Sequence, residues 1–422
     1  MATVCFYFQV HQPHRLRPFS VFETTGSTTP EPRDYFSDSS ETDRNNARVL
    51  RKVARKSYEP TNQTLLDLLR EHPEFRVSFS FSGTVLEQLA DHAPETLASF
   101  QALAATGQVE ILAETYHHSL AFFYDRAEFD HQVREHERLI ERLFNTTPQV
   151  FRNTELAYND ELGAWVDKQG YKGVLAEGFE PVLGWRSPNF VYQPPAAKQA
   201  RLLLKNHKLS DDIAFRFSNE SWKGWPLTAE KFARWINDHN AKKNESGEVI
   251  NLFIDYETFG EHQWEDTGIF DFLRQLPAEV LAHPDNTFMT PSEVIDNHQP
   301  QGTVAMPETV TWADTERDLS AWLGNDMQQA AVKALYELKP LVREAKREAI
   351  EEDWRRLQTS DHLYYMCTKW SSDGDVHAYF NPYESPYEAF ITYMNVLADL
   401  RERCHGATEP PAKKIEVTSV GV

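Results

Sequence analysis

Short apolar runs recur along the chain, and most are followed by a stretch of helical periodicity. The series begins at residues 4–10, Val-Cys-Phe-Tyr-Phe-Gln-Val, which reads as a buried strand that Pro13 brings to a stop. Further strands are expected at 75–81, 109–113, 149–152, 173–176, 202–205 and 249–254, with a weak one at 287–289. Between them the 3.6-residue pattern predicts helices at 62–70, 94–105, 126–144, 160–169, 229–240, 267–275 and 291–297. Strand and helix alternate for about three hundred residues, as in a parallel sheet closed into a barrel or doubly wound.

Two stretches break the pattern. Residues 20–60 are polar and charged, too long for an ordinary connection, and are expected to form a lid or inserted subdomain. Beyond residue 300 the strands stop. Helices are expected at 318–338, 340–357 and 387–403, and 409–422 reads as a tail. This gives a catalytic region over 1–300 and a helical C-terminal domain over 301–408.

The ends of the strands carry the chemistry. His11, Glu114, Glu155, Glu177 and Asp255 all lie just past a strand's C-terminal end. In a β/α barrel those ends share one face, where active sites are built. The stretch 251–262, Asn-Leu-Phe-Ile-Asp-Tyr-Glu-Thr-Phe-Gly-Glu-His, is the densest case. If the extended backbone continues past Asp255, Glu257 points the same way. Carboxylates at the mouth of a buried strand are costly unless paired, protonated or used, so an ion-pair network competes with a catalytic reading.

Composition narrows the classes. The 422 residues carry 43 basic and 64 acidic side chains, a net charge of −21, which argues against nucleic-acid or anionic-membrane partners. Three scattered cysteines suggest neither a disulfide framework nor a metal cluster. No apolar run approaches membrane-spanning length, and the first residues read as a strand rather than a leader, so a cytoplasmic protein is expected.

The chain resembles glycoside hydrolase family 57, and within it the α-amylase-like group. The resemblance rests on five segments in order: His11-Gln12-Pro13; Gly107-Gln108-Val109-Glu110-Ile111; Thr154-Glu155-Leu156; Asp255-Tyr256-Glu257-Thr258-Phe259-Gly260-Glu261-His262; and Ala321-Trp322-Leu323-Gly324-Asn325. It implies a distorted (β/α)7 barrel with a helical C-terminal domain, a retaining mechanism on α-glucans, and no metal or organic cofactor. The nucleophile falls on Glu155 and the general acid/base on Asp255. His11, Glu110, Glu114, Glu257, His262, Trp264, Asp318 and Trp322 are candidate substrate contacts, the two tryptophans as flat platforms for sugar rings. For Glu110 a structural ion pair competes, and Glu177 reads as structural. One departure is Gln9, where some members carry histidine.

Physical chemistry asks for an ionised Glu155 with donors nearby, for which Arg152 and Asn153 are candidates, and for a protonated Asp255. Within the family, 4-α-glucanotransferase or branching activity is the alternative. Outside it, the rivals are a metal-dependent carbohydrate deacetylase, built on His11, His14, His117, His118 or His262, and a non-catalytic glucan-binding protein.

Overall fold

The computed structural model describes residues 2–24, 33–37, 39–241, 249–369 and 381–408; the expected tail at 409–422 lies outside them. Seven parallel strands form a ring. β1 (Ala2–Val10) pairs with β2 (Val77–Phe81), and β2 with β3 (Val109–Ile111). β4 (Val150–Arg152) pairs with β5 (Gly173–Glu177), then comes β6 (Val191–Tyr192), and β5 pairs with β7 (Arg201–Lys205). β8 (Val249–Asp255) returns to β1 over the whole register Thr3↔Val249 to Gln9↔Asp255.

The two gaps in the ring are closed by single residues. Between β3 and β4, the Ala113 N–H donates to Val150 O at 2.9 Å and Ala113 O accepts from Arg152 N–H at 2.8 Å. Between β7 and β8, Asn206 N–H donates to Asn251 O at 2.8 Å, and Asn251 Nδ2 donates to Leu204 O at 2.8 Å. The second gap exists because β6 runs antiparallel along β7 and takes its outer edge, with Val249 N–H bonded to Asn189 O. β9 (Asn286–Phe288) pairs with the first residues of β1, below β2.

Alternation along β1 explains the two cores. Val4, Phe6, Phe8 and Val10 pack outward with the surrounding helices. Cys5 and Tyr7 face the lumen with Leu112, Val150, Leu175, Leu203 and Phe253. The lumen becomes polar towards the C-terminal ends, where Gln9 Oε1 accepts from Tyr7 Oη at 2.8 Å and from Ser80 Oγ at 2.7 Å.

The segment 20–60 is only partly irregular. The helix Asn46–Val53 runs through a wide turn at Ala54–Tyr58 into the helix Glu59–Glu71. Leu50, Val53, Ala54 and Tyr58 bury one helical stripe, which the surrounding Arg and Lys residues obscure in the sequence. Further upstream, Leu16, Phe19, Tyr35 and Phe36 belong to the core of the C-terminal helices. Tyr35 Oη donates to Asp399 at 2.6 Å, and Arg403 pairs with Asp353 at 2.7 Å.

The expected C-terminal helices are shorter than their patterns. Residues 318–338 divide into Ser320–Leu323 and Asp326–Glu337, because Asn325 and Gln328 form a capping box that starts a new helix. Residues 340–357 divide at Lys346, which is left-handed. The helix Pro386–Thr408 closes this layer.

The Asn251 seam gives a test of closure. Asn251→Ala leaves Leu204 O buried without its donor and is expected to cost about 1–3 kcal/mol. Chemical denaturation of the two proteins measures it; an unchanged midpoint would show that the seam holds without the side chain.

Candidate active site

Glu155 sits one turn past β4 with φ 57°, ψ 26°, a left-handed conformation unusual for a residue with a side chain. The strain is held in place by donors on both oxygens. Oε1 lies 3.0 Å from His118 Nε2 and accepts from Ser360 Oγ at 3.3 Å. Oε2 accepts from the indole Nε1–H of Trp312 at 2.9 Å.

His118 is itself a bridge. Its Nδ1 lies 3.7 Å from Glu114 Oε2, so the imidazole spans two carboxylates. Burial alone would lower its pKa, but the two carboxylates outweigh it and raise the pKa to about 9, so the ring is cationic at neutral pH. Glu114 is fully buried and also takes Arg152 Nη1 at 3.5 Å and Gln9 Nε2 at 3.3 Å. Burial pushes the Glu155 carboxyl upward; the hydrogen bond and charge of His118, with Arg152 beyond, reverse this and hold it below the usual range.

His11 stacks on His118 with ring centroids 3.9 Å apart. It is held by Ser82 Oγ at 2.7 Å and by Asp361 Oδ2 at 2.9 Å. Burial, then the neighbouring His118 cation, lowers its pKa, so His11 is the neutral member of the stack.

Asp255 ends β8, beside this cluster. Burial first, and the negative charge of Glu155 second, raise its pKa to about 6. Arg152, Lys205 and His118 oppose the rise but do not cancel it. Below about pH 6 the two carboxyls are thus held in opposite ionisation states by unequal surroundings.

Several expectations need correction. The extended backbone does not continue past Asp255; a tight turn, Tyr256–Thr258, begins there. Glu257 is instead buried beneath the Tyr58 hydroxyl, which donates to its Oε1, with Gln12 Nε2 at 3.5 Å. Burial and the charge of Asp255 raise its pKa to about 8, leaving it a neutral acid. His262 is partly buried behind it, its backbone N–H bonded to Glu257 O at 3.0 Å, and removal from solvent lowers its pKa to about 4. Glu110 is not at the cluster. It accepts from Ser292 N–H at 2.8 Å and from the Ser292 hydroxyl, at the start of the helix Pro291–Asn297. Asp318 is exposed and caps Ser320 N–H at 2.8 Å. Trp322, expected as a sugar platform, is 1% exposed within the helical core, because its helix turns that face inward. Trp264 is 55% exposed, with Lys56 Nζ 5.2 Å from its ring centroid.

The donors to Glu155 also differ from expectation. Asn153 Nδ2 bonds Ala157 O at 2.8 Å and Arg152 pairs with Glu114; His118, Ser360 and Trp312 do the work instead. Ser360, Asp361 and Trp312 come from beyond residue 300, and no local motif marks them. His118 was legible only as a histidine after β3. Glu177, read as structural, is held by Lys205 and Arg317, each at 3.6 Å. Among the described residues, no group of three or more His, Cys, Asp or Glu is arranged to hold a metal ion. No helix among them is long and apolar enough to cross a membrane.

Comparison with known proteins agrees with this architecture. A "Putative alpha-amylase" from Methanocaldococcus jannaschii is 42% identical over 407 residues, covering 94% of this chain and 83% of the relative. The "Alpha-amylase" of Pyrococcus furiosus is 20% identical over 261 residues, 60% of this chain and 38% of that protein. Among solved structures, a branching enzyme from Thermococcus kodakaraensis superposes with a TM-score of 0.63 at 13% identity, covering 89% of this chain and 87% of that one. The α-amylase AmyC of Thermotoga maritima gives 0.58 at 14% identity, covering 97% and 99%. At such identities the likeness shows the fold, the distorted (β/α)7 barrel with C-terminal helices. The sequence model of Glycosyl hydrolase family 57 matches residues 5–307, the span that carries both Glu155 and Asp255. With that match and the 42% relative together, the chain belongs to glycosyl hydrolase family 57.

Proposed function

We propose that this protein is a retaining α-glucan hydrolase of the α-amylase type, cleaving α-1,4-glucosidic bonds with Glu155 as nucleophile and Asp255 as general acid/base. The observation that carries the reading is the split ionisation of the pair. Glu155 is held anionic by the His118 cation, while Asp255, partly buried and facing that anion, keeps its proton to about pH 6. The names of the relatives support the substrate class.

The steps follow. A Glu155 oxygen forms a bond to the anomeric carbon as the C1–O bond breaks, and the glycosidic oxygen of the departing chain takes the Asp255 proton. The Asp255 carboxylate then removes a proton from water, whose oxygen replaces Glu155 at C1 with net retention. His11 and Glu114 are assigned to the floor of the site, Glu257 and His262 to the support of the loop that carries Asp255. Trp264 is the assigned sugar platform, since its ring is open to solvent. The helical layer is assigned as a domain that completes the site, through Ser360 and Asp361.

Three results test this. Glu155→Gln is expected to lower kcat by about a thousandfold or more without changing the fold. Azide should restore Glu155→Gly through an inverted glycosyl azide and Asp255→Gly through a retained one. Near-native turnover of Glu155→Gln, or an inverted product from the native enzyme, would contradict the assignment.

The pH profile of kcat/KM gives the second. Activity requires Glu155 deprotonated and Asp255 protonated, so it should fall as pH rises through about 6. The limbs belong to the coupled pair rather than to either residue. His118→Gln removes a cation that lowers both carboxyls, so both limbs should move to higher pH. Limbs that stay in place would show that His118 does not set the charges.

The third concerns binding. Trp264→Ala should raise KM for amylose several-fold with kcat little changed, about the worth of one aromatic contact. An unchanged KM across chain lengths would remove Trp264 from the glucan path.

A further inference from the structure

Trp312 lies just beyond the span matched by the family, yet it is built onto the catalytic loop. The chain leading to it pairs with the chain leaving Glu155. Tyr158 and Val310 exchange backbone hydrogen bonds of 2.9 Å, and Trp312 N–H donates to Glu155 O at 3.3 Å. Arg317 ties the turn from the other side. Its guanidinium donates to Trp312 O, and its own carbonyl accepts from Thr311 N–H at 2.9 Å. Asp314 and Arg317 both have φ of 53°, and Lys369 Nζ fastens Asp314 at 3.1 Å and Ser320 Oγ at 2.6 Å. A turn held at this many points fixes the indole relative to Glu155 without using a strand or helix.

Two cations lie against the indole ring. The Arg152 guanidinium carbon is 5.0 Å from the ring centroid and Lys205 Nζ is 5.3 Å from it. No Arg152 side-chain nitrogen has a hydrogen-bond partner among the described residues; its charge acts on Glu114 at 3.5 Å and on the indole face. Cations over the ring draw on its electron density and leave Nε1–H a stronger donor.

We infer that Trp312 is a positioning residue: its cation-polarised indole N–H holds Glu155 Oε2 while His118 and Ser360 hold Oε1. The inference rests on the reading of Glu155 as nucleophile. It has a consequence for the order of steps. When Glu155 becomes the glycosyl ester its charge disappears, and when water displaces it the charge returns to a carboxylate leaving group. A donor aimed at that carboxylate therefore assists the second step, where charge develops, more than the first.

The test replaces Trp312 by β-(3-benzothienyl)alanine, which keeps the bicyclic shape and exchanges the N–H for sulfur, alongside Trp312→Phe. One lost charge-assisted hydrogen bond should lower kcat about 10- to 100-fold. KM for amylose should fall with kcat as the glycosyl-enzyme accumulates. The acid limb of kcat/KM should move to higher pH, because Glu155 loses a donor to its anion. The thermal midpoint of the benzothienyl protein should stay near that of the native enzyme. Native kcat and an unmoved acid limb for that protein would overturn the inference, as would a loss expressed only as a rise in KM. If Glu155→Gln is fully active, the nucleophile reading itself falls. If Glu155→Gln is inactive and the benzothienyl protein is native in all respects, this inference alone falls.

Discussion

The site depends on one cation placed between a buried carboxylate, Glu114, and a partly buried one, Glu155. Glu114 and Glu155 could not both stay ionised in so little solvent without it, and His118 touches both. Arg152 adds a second positive charge on the Glu114 side. Asp255, the third carboxyl, is raised first by burial and second by the Glu155 anion, against the weaker pull of these cations, so it keeps its proton up to about pH 6. The unequal ionisation of the pair, on which the proposed roles rest, thus follows from which carboxyl the histidine reaches and from the burial of the other.

Holding that arrangement requires two separately packed layers. The barrel lumen supplies the line Tyr7, Gln9, Ser80, Glu114 and Arg152, apolar below and polar at the C-terminal ends. The C-terminal layer supplies Asp361 to His11, and Ser360 to Glu155. Ser360 N–H also bonds His118 O at 2.9 Å, so the two layers meet at the bridging histidine itself. The left-handed backbone of both His118 and Glu155 is the local cost of bringing two loop residues onto one another.

Much of the barrel was legible because a strand buried on both faces reads as an unbroken apolar run. The run at 249–254 and the helices Arg126–Phe144, Asp160–Gln169 and Pro291–Asn297 are found where the pattern puts them. β6 was not legible: two residues pairing antiparallel carry no period of their own. The helix Asn46–Val53 was missed because its apolar stripe is narrow among basic residues. In the site, Glu155 and Asp255 were singled out from strand-end position and motif, and both lie at the His118 cluster. Trp312, Ser360 and Asp361 were not, because they reach the site by tertiary packing from segments with no chemical signature of their own. Trp322 shows the opposite error, a motif residue whose ring the fold needs for its core.

The most direct test of the account is capture of the covalent intermediate. Incubation of the enzyme with 5-fluoro-α-glucosyl fluoride, followed by intact-mass measurement and peptide mapping, should show one added glycosyl unit, carried by the peptide containing Glu155 and absent in Glu155→Gln. A stable adduct on another residue, or an active enzyme that forms none while releasing product of inverted configuration, would contradict it.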